Sequence, residues 1–376
     1  MQLLPGMIFA IILAGDYMRK ILYGALALAL IGFIVSGCNS GYQKYSAVFF
    51  DTFDTAVQLV AYTRNEAEFD MYFEKAKERF MELHKLFDKY HEYEGINNIK
   101  TINDNAGIKP VKVSQEIIDL ILFCKEWYEK TGGRTNIAMG PVLEIWHQYR
   151  EDAEYDPANA QVPPMDKLVE ASKHTDINKV IVNKEESTVY LADKGMSLDV
   201  GAVAKGYATK LVISELAAQG LESAILSPGG NIHALGKPLD GIREKWGIGI
   251  QDPDKAVVED EENILDVVFI NDASVVTSGD YQRYYIVDGK TYHHLIDPET
   301  LMPAEYFRSV TIITKDSGVA DFLSTTVFLM PLEEGMALID SLEDTEAYWV
   351  LRDRSTVISD GLKYMLRSHG ATGGKK

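Results

Sequence analysis

Cysteine is nearly absent: the 376 residues contain two, Cys38 and Cys124. Two thiols cannot build a zinc cluster, and their placement gives no disulfide framework. Cys124 lies in the apolar, helically periodic run IIDLILFCKEWY, where cysteine serves as a small buried hydrophobe. Positive charge is also short. The 37 Lys and Arg are outnumbered by 56 Asp and Glu, for a formal net charge of −19 and a pI near 4.9. Binding a phosphate backbone needs a basic face, so no nucleic-acid partner is expected. The acidity is spread along the chain and mainly favours solubility. No internal repeat and no low-complexity block is present. Neither a GxxxxGK[ST] phosphate loop nor a GxGxxG dinucleotide turn occurs in the glycine-bearing segments. What is plentiful is apolar material, 46% of the chain, which supplies a core and argues against disorder.

The N-terminus reads as a targeting segment. Met18-Arg19-Lys20 forms a short positive region, and residues 21–37 are apolar and end in small residues. That order describes a secretory signal. The ending Val35-Ser36-Gly37-Cys38 resembles a bacterial lipobox, in which the cysteine is lipidated and becomes the first mature residue. The competing reading is a single membrane anchor, since 17 apolar residues nearly span a bilayer. The cysteine at the cleavage point and the polar residues after it favour the lipoprotein. Residues 1–17 carry a second apolar run cut off by Asp16, so Met18 is a cleaner start than Met1. The expectation is an extracytoplasmic protein held to the cell membrane through a lipid on Cys38. Residues 1–37 are then the signal peptide, 38–48 a tether, 49–365 the functional domain and 366–376 a flexible tail.

Within the domain, Phe69, Phe73, Ala76, Phe80, Leu83 and Phe87 alternate spacings of four and three, which predicts a helix over 66–89 with one apolar stripe. A second helix is expected over 114–130, with Ser114 as N-cap and the Gly132-Gly133 pair as its stop. Residues 150–165 are polar and proline-bearing and read as a loop or insert. From 179 onward, short β-type runs (KVIVN, TVYLA, AILS, GIGIQ, LDVVFI, RYYIVDG, SVTIIT, AYWVL) alternate with turns. Helical runs at 201–219 and 318–331 interrupt them. Strands and helices without strict βαβ alternation indicate an α+β fold, with mixed or antiparallel sheets and packed helices.

Four glycine-bearing segments concentrate the chemistry. In SLDVGAVAKGYATKL (197–211) a strand ending at Asp199 runs through Gly201 into a helix. Glycine admits a ligand close to backbone there, and Lys205 in the first turns suits phosphate. AILSPGGNIHALG (224–236) reads as a hairpin around Pro-Gly-Gly. The stretch 275–303 gathers Ser278, Asp280, Tyr281, Arg283, His293, His294 and Asp297. In DSGVADFLSTTVFLM (316–330), Asp321 and Thr325 are four apart and share a helix face. A carboxylate with a hydroxyl suits Mg2+ or Ca2+; a solvated polar pair on a helix edge is the plain alternative.

Taken in order, these segments resemble the ApbE family of FAD:protein FMN transferases. The family's Asp-x-Gly-(Gly/Ala)-x-x-Lys-Gly-Tyr-Ala pattern is matched by Asp199, Gly201, Ala202, Lys205, Gly206, Tyr207 and Ala208. The Gly-Gly hairpin, the block from Trp246 through Pro253, and the blocks at 277–283, 294–298 and 320–325 follow in register. The resemblance covers about residues 49–352. It implies a T-fold-related ApbE-like architecture of two interlocked subdomains. It also implies Mg2+-dependent transfer of the FMN half of FAD to a Thr or Ser hydroxyl of an acceptor bearing a Ser/Thr-Gly-Ala-Ser/Thr type motif, with release of AMP. Two alternatives remain: an FAD pyrophosphatase using water, and a flavin-binding lipoprotein without catalysis.

The resemblance further implies roles residue by residue. Asp321, Thr325 and the carbonyl of Ala202 map onto the metal ligands. Phe53, Tyr90, Arg134, Thr135, Asn136, Asp199, Lys205 and Ile296 map onto FAD contacts, with Tyr90 able to stack on a flat ring. Attack by an acceptor hydroxyl needs a base. His294 is the candidate, since neutral imidazole takes a proton near pH 7; strand alternation turns His293 the other way. The chain departs from the family pattern in several places. Phe53 stands in FFDTFDTAVQL where Met-Gly-Thr is usual, Asn136 and Asn231 occupy positions where Asp is common, and Thr300-Leu301-Met302-Pro303 replaces Thr-Gly-x-Pro.

Overall fold

A computed structural model describes residues 41–255 and 263–375. The expected signal segment, residues 1–37, and Cys38 lie outside the described residues. The chain opens with strands β1 (Gln43–Thr52) and β2 (Thr55–Thr63), then helix α1 (Glu66–Phe87) and the short α2 (Ile99–Asp104). Next come β3 (Val111–Lys112), α3 (Gln115–Lys130), α4 (Gly140–Tyr155), α5 (Met165–Ser172), β4 (Val180–Asn183) and β5 (Thr188–Leu191). Helix α6 (Ala204–Ala218) leads to β6 (Ala224–Pro228), β7 (Ile232–Leu235), β8 (Trp246–Gln251), β9 (Ile264–Ile270) and β10 (Ala273–Gly279). After β11 (Tyr284–Val287), β12 (Lys290–His293) and β13 (Phe307–Thr314) come α7 (Ser317–Phe328), α8 (Leu332–Asp340), β14 (Glu346–Leu351) and β15 (Thr356–Ile358).

The main sheet has eight strands in the order β1-β2-β6-β7-β10-β13-β14-β15. Three smaller sheets, β3-β5-β4, β8-β9 and β11-β12, surround it. Every pairing among these strands is antiparallel. The architecture is α+β, as the sequence pattern indicates, and the eight β-type runs all fall on strands.

Two helices position the site. Helix α6 buries Ala204, Gly206, Tyr207, Ala208, Thr209, Val212, Ile213 and Leu216. In α7 every residue is buried, so this helix lies inside the protein rather than on its surface. Its first turn is closed by Asp316, whose carboxylate accepts from the N–H groups of Gly318 and Val319, satisfying donors that burial would otherwise orphan. The two helices approach closely at Gly206. A Cβ there would meet the Ser317 carbonyl oxygen at 2.3 Å and the Asp321 Cβ at 2.4 Å. Helix α1 buries Phe69, Tyr72, Ala76, Phe80, Leu83 and Phe87, the expected stripe with Tyr72 in place of Phe73. These side chains join β1, β2, α3 and α6 in one core. A separate core joins α4 to the β11-β12 hairpin through Val142, Trp146, Tyr285 and Ile296.

Three expectations are corrected. The presumed tether is in part the first strand, because β1 begins at Gln43 and pairs with β2 from Gln43↔Thr63. The presumed loop 150–165 begins as the last turns of α4, which continues to Tyr155 and buries Ala153. A 3-10 turn follows over Pro157–Asn159. The tail is also docked. Leu366 is buried, Glu244 N–H donates to the Gly373 carbonyl at 2.7 Å, and Gly374 bridges to Arg243. Backbone hydrogen bonds order this glycine-rich end, and its side chains gave no sign of them. Ser114 does occupy the N-cap position of α3, but its hydroxyl makes no capping bond.

Candidate functional site

One cavity of about 490 Å³, within the range of small-molecule sites, gathers the site residues expected from the sequence among those described. Phe53, Tyr90, Arg134, Thr135, Asn136, Asp199, Ala202, Lys205, His294, Ile296, Asp321 and Thr325 all line it. So do five of the chain's eight histidines: His84, His91, His147, His293 and His294. In a chain of net charge −19, the cavity sets Lys89, Arg134, Arg150, Lys205 and Arg283 against Asp54, Asp88, Asp199 and Asp321, a far less acidic balance than that of the chain as a whole. An anionic ligand meets less repulsion there than over the rest of the surface.

Asp321 and Thr325 lie on successive turns of α7, 5% and 8% exposed. Burial excludes the solvated-edge alternative. Asp321 Oδ2 accepts from the Gly206 N–H at 2.7 Å. Burial pushes its carboxyl above the usual range, against Lys205, the Gly206 N–H and Asn231, which favour the charged form. A buried carboxylate kept this short of compensation suits a cation. Beside it, the hydroxyls of Ser278 and Ser324 are 2.8 Å apart, and Ser278 Oγ lies 3.4 Å from Thr325 Oγ1. The donors are hard oxygens. Among the described residues no three His, Cys, Asp or Glu side chains gather to hold a metal. Protein groups alone therefore do not form a closed cage, and the arrangement fits an ion such as Mg2+ that keeps waters and takes phosphate oxygens.

The close approach that seats Asp321 depends on Gly206. A Gly206→Ala variant puts a methyl group against a carbonyl and a Cβ, neither of which can swing aside. Overpacking of this kind costs about 1–3 kcal/mol. A thermal melt is expected to show a lowered Tm, and the displaced carboxylate should depress turnover further. An unchanged melt would contradict the packing described for α6 against α7.

The two histidines divide as strand alternation suggests. The ring of His293 is fully engaged: Nε2–H donates to the Ala304 carbonyl at 2.8 Å, and Nδ1 accepts from the Leu295 N–H at 3.2 Å. It is a structural group, set edge-on to Phe328. His294 Nδ1 lies 3.2 Å from the Arg283 carbonyl. This carbonyl can only accept, so the proton is assigned to Nδ1 and Nε2 carries the lone pair. Burial, helped by the Arg283 charge, pushes the His294 pKa down to about 3.

Aromatic rings come from two parts of the fold. Phe53 and Tyr90 belong to the β1-β2 turn and the segment after α1. Trp146 projects from α4, and Tyr285 and Tyr292 from the β11-β12 hairpin, with the tyrosine rings stacked at 5.7 Å. Phe53 and Asp54 both have φ of +52°, the left-handed values of a two-residue hairpin turn. A bulky residue rarely adopts that conformation. The ring of Phe53 is held edge-on by Phe80 and His84, and its N–H donates to His84 Nδ1 at 3.2 Å.

Several expected contacts are engaged within the protein. Asn136 caps a short turn through Oδ1, which accepts from the Ala138 N–H, and its Nδ2 donates to the Thr175 carbonyl. Thr135 accepts from Thr326. Arg134 faces Glu299 at 3.0 Å and Glu334 at 3.4 Å. Asp199 accepts from the Gly201 N–H at 2.8 Å and pairs with Lys89 at 2.9 Å. Burial works against the Asp199 charge, yet Lys89 and the Gly201 N–H hold its pKa below the usual range. Sequence reasoning missed Lys89, His147 and Arg150. Only the neighbour Tyr90 marked Lys89, and the other two lie on α4, which was not anticipated.

Buried hard oxygens, side chains of both charges and aromatic faces meet in one cavity, an arrangement that suits a phosphate-bearing aromatic ligand. The ApbE family model matches residues 53–349, and the chain belongs to the ApbE family. It is 35% identical over 276 residues to the FAD:protein FMN transferase of Treponema pallidum (strain Nichols), covering 70% of this chain and 73% of that protein. It is 32% identical over 286 residues to the FAD:protein FMN transferase of Klebsiella pneumoniae (strain 342), covering 73% and 83%. The fold superposes on the crystal structure of an ApbE protein from Thermotoga maritima with a TM-score of 0.74 at 28% identity, covering 86% of this chain and 99% of that one.

Proposed function

We propose that this protein cleaves FAD and transfers its FMN half to a Ser or Thr hydroxyl of an acceptor protein, from a lipid anchor outside the cytoplasmic membrane. The observation that carries the reading is the shared cavity of Asp321, Thr325, Lys205 and His294. It offers a place for charged phosphates beside His294 Nε2, the ring nitrogen that carries the lone pair. Aromatic surfaces at Tyr90 and Trp146 suit the two ring systems of FAD. The named activity of the curated relatives supports the same reading.

The chemistry follows from charge. The acceptor oxygen attacks the FMN phosphorus, the bond from that phosphorus to the bridging oxygen breaks, and AMP leaves with the bridging oxygen. His294 Nε2 takes the hydroxyl proton. Lys205 steadies the negative charge that collects on the departing phosphate. Asp321, Thr325 and the Ala202 carbonyl would hold Mg2+, which when bound offsets the diphosphate charge. Asp199, braced by Lys89, fixes the turn that presents Ala202.

The test is incubation with FAD and Mg2+, with and without an acceptor carrying a Ser/Thr-Gly-Ala-Ser/Thr motif. Covalent fluorescent FMN on the acceptor, with one AMP released per label, is the expected result. AMP release without labelling assigns hydrolysis instead, and unchanged FAD assigns a binder. Run on membranes from the producing cell, the same assay checks the anchor. Activity should follow detergent extracts of the wild type and become soluble in Cys38→Ser; release of the wild type by salt alone would overturn the lipid attachment.

A further inference from the structure

Leu301 stands where the Thr-Gly-x-Pro pattern carries glycine, and it keeps the backbone that glycine suits. Its φ is +59°, in the left-handed region that a bulky side chain rarely adopts. Such a conformation persists only where the surroundings over-determine it. Here they do. The Leu301 N–H donates to the Asp297 carbonyl at 2.8 Å, and the Leu301 carbonyl accepts from the indole N–H of Trp146 at 3.0 Å. The Asp297 N–H donates to the Met302 carbonyl at 2.9 Å, and the Ala304 N–H to the Leu295 carbonyl at 3.0 Å. Residues 295–304 therefore form a closed loop, fastened to α4 at Trp146. The Leu301 side chain is 7% exposed and belongs to the core between α4 and the β11-β12 hairpin. Its companions there, Trp146, Tyr285 and Ile296, line the cavity, and Leu301 does not. It backs the wall from behind. Trp146 serves both sides: its ring stacks on Tyr292 at 6.1 Å, within the cavity lining, while its N–H reaches back to Leu301. Glycine at 301 would close the same loop without strain but would leave a void behind the wall.

From this arrangement we infer that Leu301 is a positioning residue for the flavin nucleotide, which it does not touch: it fixes Trp146 and Ile296 in the cavity wall. The inference rests on FAD as the ligand of this cavity. Without the leucine side chain, the indole and the Ile296 side chain gain freedom that binding must remove. The reacting groups keep their places, because His294 is held from the hairpin side by the Arg283 carbonyl and Asp321 and Thr325 stand on α7. The loss therefore belongs to binding and not to the reaction step.

The experiment measures KM for FAD and kcat for AMP release, with Mg2+, in the wild type, Leu301→Gly, Leu301→Ala and Leu301→Met. In Leu301→Gly and Leu301→Ala, KM is expected to rise about tenfold, the factor that ordering one freed side chain sets. In both, kcat should stay within about twofold, the pattern of lost uniform binding. Leu301→Met refills the space and should return KM to near the wild-type value. Leu301→Gly should melt above Leu301→Ala, because it also relieves the left-handed backbone. A wild-type KM in the Gly and Ala variants overturns the inference, as does a fall in kcat with KM unchanged; a purely structural leucine would lower Tm alone. A second measurement needs no variant. By linkage, a residue that strengthens binding is itself stabilised by the ligand. A methylene-bridged FAD analogue that cannot be cleaved, added with Mg2+, should therefore slow hydrogen–deuterium exchange at the Leu301 amide of the wild type. Exchange unchanged by the bound analogue overturns the inference whether or not any variant folds. A wild type that neither binds the analogue nor releases AMP removes the FAD reading itself. One that does both, with KM and exchange indifferent to Leu301, removes only the role of Leu301.

Discussion

An Asp321→Asn variant is expected to fold at least as well as the wild type and to lose FAD cleavage by on the order of 10³-fold, the worth of several kcal/mol of charge stabilisation. The two halves of that expectation have one cause. The carboxylate is buried on α7, and burial pushes its pKa up. A group whose folded pKa is raised contributes stability below its unfolded pKa and loses it as pH rises through the folded value. At neutral pH the ligand-free wild type therefore carries a charge that its fold disfavours. Asn removes the charge and keeps the shape, and its side-chain oxygen can still accept the Gly206 N–H. The Tm of the ligand-free variant should equal or exceed that of the wild type near pH 7, with the difference shrinking toward low pH. AMP release from FAD should collapse in the same sample. Turnover within tenfold of wild type would sink the cation assignment. A lowered Tm would show that the carboxylate holds the fold together instead of being held by it.

Asp321 also shows why part of the site was legible in the sequence. Its spacing to Thr325 placed both side chains on one helix face, because helical periodicity is local. Burial was not local information. It depends on the sheet behind α7 and on α6 in front, and both arrive from distant segments. The polar-edge alternative was therefore open until the helices were placed. Helix α4 failed for another reason. Its buried residues Val142, Trp146 and Ala153 form a sparse stripe, and His147 and Arg150 beside them face the cavity. Site residues break the apolar pattern by which helices are recognised. The strand β1 was hidden by its position after the expected cleavage signal, although QKYSAVFF alternates imperfectly and pairs with β2.

Asn136 and Asn231 show a different limit. Both were visible as departures from the family pattern, and Asn136 was also mapped onto a ligand contact. The structure separates them. Asn136 makes two hydrogen bonds to backbone and so serves the turn before α4. Asn231 is buried in the cavity wall and lies against the Asp321 carboxylate, favouring its charged form. Identity at a motif position is the same kind of fact for both; their surroundings place one on backbone groups and the other beside a carboxylate.

Replacing His294 by Gln is expected to lower FMN transfer by about 10²–10⁴-fold, the span of general acid–base catalysis, while leaving FAD affinity within a few fold. Gln keeps a side-chain N–H that can reach the Arg283 carbonyl but offers no basic nitrogen. The pH dependence tests the assignment more sharply than the loss of rate. Burial holds the His294 pKa down at about 3 in the ligand-free protein, far below the ordinary histidine value of about 6.5. The ring is then neutral through the whole range from pH 5 to 8. The acid limb of kcat/KM, which reports the free enzyme, should contain no His294 step near 6.5. A bound diphosphate brings negative charge toward the ring and raises its pKa, so a His294 step in kcat belongs at higher pH than in kcat/KM. The stability sign runs the same way. The unfolded chain takes up a proton below about pH 6.5 that the folded ring refuses, so the wild type loses stability as pH falls through that value. His294→Gln should lose less. Transfer within tenfold of wild type would remove His294 as the base. A step near pH 6.5 in wild-type kcat/KM that vanishes in His294→Gln would show an ordinary histidine instead of the half-buried ring held beside Arg283.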